Sequence, residues 1–366
     1  MDVYKILAVN PGSTSTKVAY FENEKCMFNE DVFHDSTILR EFPSINDQLD
    51  YRMEVVNAFL KDHDIDLEDI DAVVGRGGSC ASVKGGVYRI SEKLIQDTRN
   101  AVGGLYHSSM LGVQMADRLK NNKAQLFMVD PTVVDELQDI ARVTGVKGIY
   151  RKSACHALNH KAVVRRFAKK TGRKYEEMNL ISAHIDGGIT IMAHDHGRMI
   201  DGNDGGGGEG PFTPTRMGSM AITDFERYFS GLKPEEVWSM TSVTGGFSSH
   251  FNTSNSDKIH QKVEEGDPYT TLVWKAMVYQ CAKSIGSMAV VLKGKVDAIL
   301  LTGGLMRFQD IEDQIQDSCG WIAPIYTYAG EYEMEAMASG ALRVLRGEEE
   351  ACTYTGEPVF NGFHFE

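Results

Sequence analysis

The sequence predicts an α/β protein made of two duplicated halves. Three observations predict this class. Short apolar strands alternate with helical patterns. One strand–turn–strand pattern occurs twice, about 175 residues apart. The length, 366 residues, suits about two domains.

The first hairpin runs over Lys5–Asn10, turns through Pro11–Ser15 and returns over Thr16–Phe21, with glycine and hydroxyl residues at the turn. Leu49, Met53, Val56, Phe59 and Leu60 then recur at helical spacing. A strand over Ala72–Val74 runs into Gly75-Arg76-Gly77-Gly78, and another over Gln125–Val129 runs into Asp130-Pro131-Thr132. The hairpin pattern returns as Leu180–Ile185, Asp186-Gly187-Gly188 and Ile189–His194. A last strand, Val296–Leu301, runs into Thr302-Gly303-Gly304. Helical patterns cover Ser108–Leu119, Val273–Leu292 and Tyr332–Leu345. In this class ligands sit at the carboxyl ends of strands, and all three single strands end in residues able to do chemistry. The domains are expected at 1–150, with 336–366 available to complete the first, and at 151–335.

Charge narrows the partners. Lys plus Arg is 38 and Asp plus Glu is 51, so the net charge of −13 disfavours a nucleic-acid partner. The one basic run, Lys161, Arg165, Arg166, Lys169, Lys170, Arg173 and Lys174, is interrupted by Ala162, Val163, Val164, Phe167 and Ala168 and reads as the wet face of an amphipathic helix. No apolar run approaches the 18 or so residues of a membrane span, so no membrane partner is expected. Met1-Asp2-Val3-Tyr4 does not open a secretory signal. Six scattered cysteines without a Cys-x-x-Cys pair suit reduced thiols in a cytoplasmic protein.

Glycine numbers 36, nearly one residue in ten against the usual 7% or so. Six lie within Asp201–Pro211, which reads as a mobile loop leading into Thr213-Pro214-Thr215-Arg216. Such an arm either closes an arginine over a substrate or is a plain surface loop. At the N-terminal turn, Gly12 permits a sharp bend whose amides and the hydroxyls of Ser13, Thr14 and Ser15 can meet phosphate oxygens, with Lys17 on the second strand as a nearby cation. This is not a P-loop, because the Gly-x-x-x-x-Gly-Lys spacing is missing and a strand follows. Asn-Pro-Gly-Ser is also an ordinary turn.

Ala8 to Lys17 resembles the opening phosphate motif of the acetate and butyrate kinases. Further pieces follow in that family's order: Gly75-Arg76-Gly77-Gly78, Leu105-Tyr106-His107, Val129-Asp130-Pro131, His156-Ala157-Leu158-Asn159-His160, the hairpin at His184, and Leu301-Thr302-Gly303-Gly304. Glu209-Gly210-Pro211-Phe212 and the stretch from Glu333-Met334-Glu335-Ala336 to Gly347 resemble butyrate kinases more than acetate kinases. The resemblance implies duplicated ribonuclease-H-like domains of the actin-like ATPase fold, with a nucleotide in an interdomain cleft. It implies a cytoplasmic homodimer or higher homo-oligomer that uses ATP/ADP and Mg²⁺ to phosphorylate a small carboxylic acid, butyrate or a branched analogue, reversibly. The alternatives are an acetate or propionate kinase, and a nucleotide-binding ATPase or regulator of the same fold without transferase activity.

The resemblance also implies roles. Asn10, Ser13, Ser15 and Lys17 fall near the phosphates, Asn10 also near the metal. His184, Gly187 and Gly188 form the second phosphate hairpin, and Gly303 and Gly304 lie by the adenosine. Arg216 engages the transferring phosphoryl group, for which a planar fork of donors suits the equatorial oxygens; its ordinary reading is a loop arginine paired with a carboxylate. His156 donates a hydrogen bond to that group. With His160 it has the i, i+4 spacing of a zinc pair, but Ala157 stands where a metalloprotease has glutamate. Asp130 falls near the metal and reads equally as a helix cap. Arg76 and His107 form the acid's side of the site. Among Glu331, Glu333 and Glu335, Glu333 is the choice for magnesium; all three also read as a first-turn charge cluster. Asp186 departs from the family, which usually has glycine there. A carboxylate at that point either repels nucleotide phosphates or adds a magnesium contact, and it keeps the non-transferase alternative open.

Overall fold

In the computed structural model, which describes residues 2–104 and 106–364, the chain divides into two units. One is Met1–Asp135 with Tyr332–Glu366, and the other is Glu136–Glu331. The crossings therefore fall at 135/136 and 331/332, against the expected 150/151 and 335/336. Leu105, the first residue of one motif, lies outside the described residues.

The first unit contains β1 (Lys5–Pro11), β2 (Ser15–Glu22), β3 (Lys25–Phe33), β4 (Ala72–Gly75), β5 (Val87–Arg89) and β6 (Gln125–Val129), in the sheet order β3-β2-β1-β4-β6-β5. β1 is antiparallel to β2 and parallel to β4. Ile6, Leu7, Ala8 and Val9 are wholly buried, as a strand covered on both faces requires. Leu7, Val9 and Val73 pack against Met53, Val56, Phe59, Met110, Leu111 and Met115, from the helices Leu49–Asp62 and Met110–Arg118. The helix Glu333–Leu345 lies against β1, β4 and β6.

The second unit contains β7 (Asn179–Ile185), β8 (Ile189–Asp195), β9 (Arg198–Gly202), β10 (Ala298–Gly303) and β11 (Ile325–Ala329), in the order β9-β8-β7-β10-β11. β7 pairs antiparallel with β8 and parallel with β10. Counted from its own first strand, this is the third-second-first-fourth order of the first unit again. Both sheets are mixed, and the two units are duplicated ribonuclease-H-like folds. The helix Pro268–Val291 supplies Trp274, Met277, Cys281 and Ile285 to the core over β7 and β8. The helix Ala157–Thr171 packs on β7 and β10.

Both expected hairpins form, and the expected helices are present, although the one expected at Val273–Leu292 starts more than a turn earlier, at Pro268, where Asp267 accepts from the Thr270 amide. Four expectations need correction. β10 starts at Ala298 instead of Val296, because Asp297 turns aside to accept from the Asn179 amide and Arg173. Lys161 is not on a wet face: it is buried and paired with Glu136 at 2.9 Å. The glycine-rich segment begins inside β9 and is then tied down, with Asp204 Oδ1 accepting from the amides of Gly206 (2.8 Å) and Gly207 (2.7 Å). Arg151 binds both Glu209 and Asp201, holding the loop from the other side. Asp130 caps no helix, since none begins beside it; its Oδ1 accepts from the Gly86 amide at 2.8 Å. All six cysteines are free thiols. Among the described residues no helix is long and apolar enough to cross a membrane.

Candidate functional site

In the first unit the β1–β2 turn closes on a 2.8 Å bond from the Gly12 amide to the Ser15 carbonyl. Arg52 supports it from below. This fully buried arginine donates from Nη1 to the Ser15 carbonyl at 2.8 Å and to Thr16 Oγ1 at 3.1 Å, while Gln48 accepts from Nε and Nη2. Burial pulls its pKa down to about 10. A buried guanidinium survives only when its donors are used, so Arg52 holds the turn's backbone in place.

Asn10, at the end of β1, donates to Glu333 Oε2 at 2.7 Å, and Arg76 Nη2 donates to Glu333 Oε1 at 2.9 Å. Two residues from distant parts of the chain thus converge on the carboxylate of a third. Arg76 gets there through a glycine contact. A Cβ on Gly75 would lie 2.1 Å from the Gly112 carbonyl oxygen, and one on Gly112 would lie 2.3 Å from that of Arg76. Two bare backbones let the helix Met110–Arg118 press against the end of β4. Among the described residues Arg76 Nη1 is buried without a hydrogen-bond partner, a donor held ready for an acceptor. His107 links back to the β1–β2 turn, with Nε2 3.1 Å from Ser13 Oγ, and its Nδ1 accepts from the Ser109 amide. Lys17 is paired with Asp31 at 4.0 Å, its register partner on β3.

In the second unit the turn after β7 carries the departure noted above. Asp186 Oδ1 accepts from the Gly187 amide at 2.7 Å, and Oδ2 accepts from the Gly304 amide. The carboxylate thereby bridges the two glycine turns, occupying donors that suit a phosphate. Gly303 ends β10 and exchanges backbone bonds with Gly330. His184, Asp186 and Glu331 each bring one ligand atom within 4.8 Å of the others, so Glu331 groups with this turn while Glu333 groups with Asn10. Glu335 is exposed.

Arg216 lies over the same hairpin. A Cβ on Gly188 would come within 2.7 Å of its Nη1 and 2.8 Å of its Cζ, so only glycine admits the guanidinium there. Nη1 donates to the Gly205 carbonyl, while Nε is buried without a hydrogen-bond partner among the described residues. Burial lowers the Arg216 pKa against the pull of Asp204, and burial raises that of Asp204. The arm is anchored: the Thr213 and Thr215 hydroxyls donate to the Gly187 carbonyl at 2.6 and 3.1 Å. His156 stacks on His184, ring centres 4.0 Å apart. Asn159 Nδ2 lies 2.7 Å from His184 Nδ1 and 3.2 Å from Thr302 Oγ1. Beside the hairpin is a cavity of about 290 Å³, lined among others by Asp186, Gly187, Asn255, Asp257 and Arg307.

A model of the Acetokinase family matches residues 137–310. Over this stretch the second unit is similar to that family. The match spans both glycine turns, Arg216 and the His156–His160 helix start. Among solved structures, the Porphyromonas gingivalis acetate kinase is similar over 93% of this chain and 100% of its own, with 18% identity and a TM-score of 0.74. A propionate kinase from Francisella tularensis subsp. tularensis SCHU S4 covers 92% of this chain and 98% of its own, at 17% identity and TM-score 0.71. The Entamoeba histolytica acetate kinase covers 92% and 98%, at 15% and 0.72. At these identities the likeness is one of fold.

Within the second unit, the residues not singled out from the sequence for function are Asn159, Thr190, Thr213 and Asp204; in the first unit it is Arg52. For Thr190 and Arg52 a signal was present: each is a polar residue inside an apolar stripe, Thr190 on β8 and Arg52 beside Met53 and Val56. Thr213 and Asp204 lie in loops, where composition carries no such contrast.

Proposed function

We propose that the protein is a carboxylate kinase, transferring the γ-phosphoryl group of ATP directly to a short-chain carboxylic acid, butyrate or a branched analogue, and running in reverse to make ATP. The observation that carries the reading is Arg216, its guanidinium laid over Gly188 of the phosphate hairpin inside the acetokinase-like segment. A carboxylate oxygen attacks the γ-phosphorus, the bond to the β-phosphate bridging oxygen breaks, and ADP leaves with that electron pair. The acid enters as an anion, so no proton has to be removed. What the chemistry needs is fixed positive charge and donors around two anions.

Arg76 suits the acid's carboxylate, because Nη1 is a buried donor still without a partner, and His107 lines that side. Asn10, Ser13, Ser15 and the Gly12 turn, with Lys17 behind them, serve the phosphates. Arg216, His156 and His184 serve the transferring group, and Gly187, Gly188, Gly303 and Gly304 hold the nucleotide. Magnesium takes oxygen ligands; Glu333 has a carboxylate and Asn10 an amide oxygen that would hold it once the Asn10 Nδ2 bond to Glu333 Oε2 gives way; bound there, the ion would offset phosphate charge. Asp130, read as lying near the metal, accepts from the Gly86 amide.

Trapping acyl phosphate as hydroxamate across straight and branched acids of two to five carbons tests the reaction. Four- or five-carbon acids are expected to give the highest kcat/KM. Preference for two or three carbons would make it an acetate or propionate kinase, and no hydroxamate from any acid would sink the kinase reading. One methylene is worth only about 1–3 kcal/mol of selectivity, so the ranking should be graded.

The observation favouring the non-transferase reading is Asp186. Its charge stands where phosphate oxygens would accept the same amides. Asp186→Asn is expected to tighten ATP binding without magnesium by roughly 10-fold, the scale of one charge repulsion at a half-screened site. Calorimetry with and without magnesium reads this; weaker binding in the variant would show that the carboxylate helps the nucleotide.

A further inference from the structure

Polar side chains on buried strands need partners, and on β7 and β8 they find one another. His156 Nδ1 lies 2.8 Å from Thr190 Oγ1, which lies 2.8 Å from His160 Nε2. His160 Nδ1 is 2.6 Å from Ser182 Oγ, and that oxygen is 2.6 Å from His194 Nε2. His194 Nδ1 is 2.7 Å from the Tyr175 hydroxyl. Thr190, His160, Ser182 and His194 have no exposed surface, and Tyr175 is buried. Three imidazoles, two aliphatic hydroxyls and one phenol thus form a single file from the half-buried His156 into the interior.

We propose that this file, which includes Tyr175, fixes the tautomer of His156 so that its Nε2 carries the proton offered to the transferring phosphoryl group. This rests on the reading of His156 as a donor in phosphoryl transfer. The middle histidines are held neutral by burial, His194 with a pKa near 3 and His160 well below its ordinary value. A neutral imidazole has one donor and one acceptor nitrogen. Thr190 and Ser182 have no acceptors among the described residues other than the rings beside them. Every link is therefore satisfied only if all protons point the same way along the file.

Two directions exist. In one, the Tyr175 O–H donates to His194 Nδ1, His194 Nε2–H to Ser182, and the Ser182 hydroxyl to His160 Nδ1. His160 Nε2–H then donates to Thr190, and the Thr190 hydroxyl donates to His156 Nδ1, leaving the His156 proton on Nε2. The reverse leaves a bare lone pair on Nε2. A phenol is the most acidic hydroxyl in the file and an imidazole nitrogen the better acceptor, so Tyr175 sets the first direction. The chemistry agrees, since a carboxylate acceptor has no proton for a basic Nε2 to take. Tyr175, His194, Ser182, His160 and Thr190 are positioning residues.

Ring-nitrogen NMR on the ¹⁵N-histidine protein, with His156 assigned against His156→Gln, reads the tautomer directly. The wild type is expected to show His156 as the Nε2–H form. Tyr175→Phe, which removes one oxygen, and Ser182→Ala, which breaks the middle link, are each expected to bring in the Nδ1–H form. In both, kcat should fall on the order of 10-fold, as for other supporting partners of a site histidine, with KM for acid and ATP nearly unchanged. An Nδ1–H wild type overturns the proposal, as does a wild-type tautomer or a wild-type kcat in both variants. Failure to form acyl phosphate from any acid would count against the kinase reading alone, because the spectra report the file whether or not turnover occurs.

Discussion

Replacing Arg216 by alanine should lower kcat for acyl phosphate formation by roughly 10³- to 10⁵-fold, the scale of a phosphoryl-binding arginine. The guanidinium rests on Gly188, spends one Nη1 proton on the Gly205 carbonyl, and keeps a buried Nε without a partner among the described residues. That arrangement costs desolvation without a compensating carboxylate bond, which is why burial lowers its pKa. A residue held at such a cost contributes little to folding, so the urea midpoint of Arg216→Ala should stay near wild type. ATP affinity should change little, because the interaction strengthens as charge spreads over the equatorial oxygens. Arg216→Lys should recover only a small part of kcat, since an ammonium cannot present paired donors in one plane. A kcat within about 10-fold of wild type in the alanine variant would remove Arg216 from the chemistry.

How much of this was legible in the sequence depends on what kind of contact made each feature. The central strands were readable because continuous burial demands continuous apolar residues, as at Ile6–Val9 and Ile299–Leu301. The third strand of each sheet's antiparallel half was not: β3 is a largely exposed edge with residues such as Asn29, Glu30 and Asp31, so it lacks apolar alternation. Lys161 was misread because a helical wheel gives direction but not what lies opposite, and Glu136 lies 25 residues away. Glycine richness at 201–211 suggested motion, yet a few side chains, Asp204, Glu209 and Arg151, supply the bonds that glycine cannot. Asp186 was recognised as a departure, but its two amide partners come from separate turns, a coincidence that only the pairing of β7 with β10 creates. Conversely resemblance alone picks Glu333 for magnesium; in the structure Glu333 bonds to Asn10 and Arg76, while Glu331 groups with His184 and Asp186.

That meeting point carries the second large effect. Arg76→Ala should destabilise the first unit by about 3 kcal/mol, at the low end for breaking a buried ion pair, and should raise KM for the acid by roughly 10- to 100-fold. Arg76 and Glu333 leave only 6% and 17% of their side chains exposed at 2.9 Å separation. Removing the guanidinium leaves the carboxylate with the Asn10 amide and the first turn of its own helix; a helix N-terminus favours an anion, and that softens the loss. The double variant Arg76→Ala with Glu333→Ala separates the two roles. With no charge stranded, much of the lost stability should return, because the cost of the single variant lies in the unpaired partner rather than in the pair. Acyl phosphate formation should not return, since the proposed donor for the acid and the proposed oxygen for the metal are both gone. Urea unfolding of the three variants alongside hydroxamate assays would decide it. Additive stability losses would mean that the pair is not coupled, and an unchanged KM in Arg76→Ala would move the acid's carboxylate to another cation.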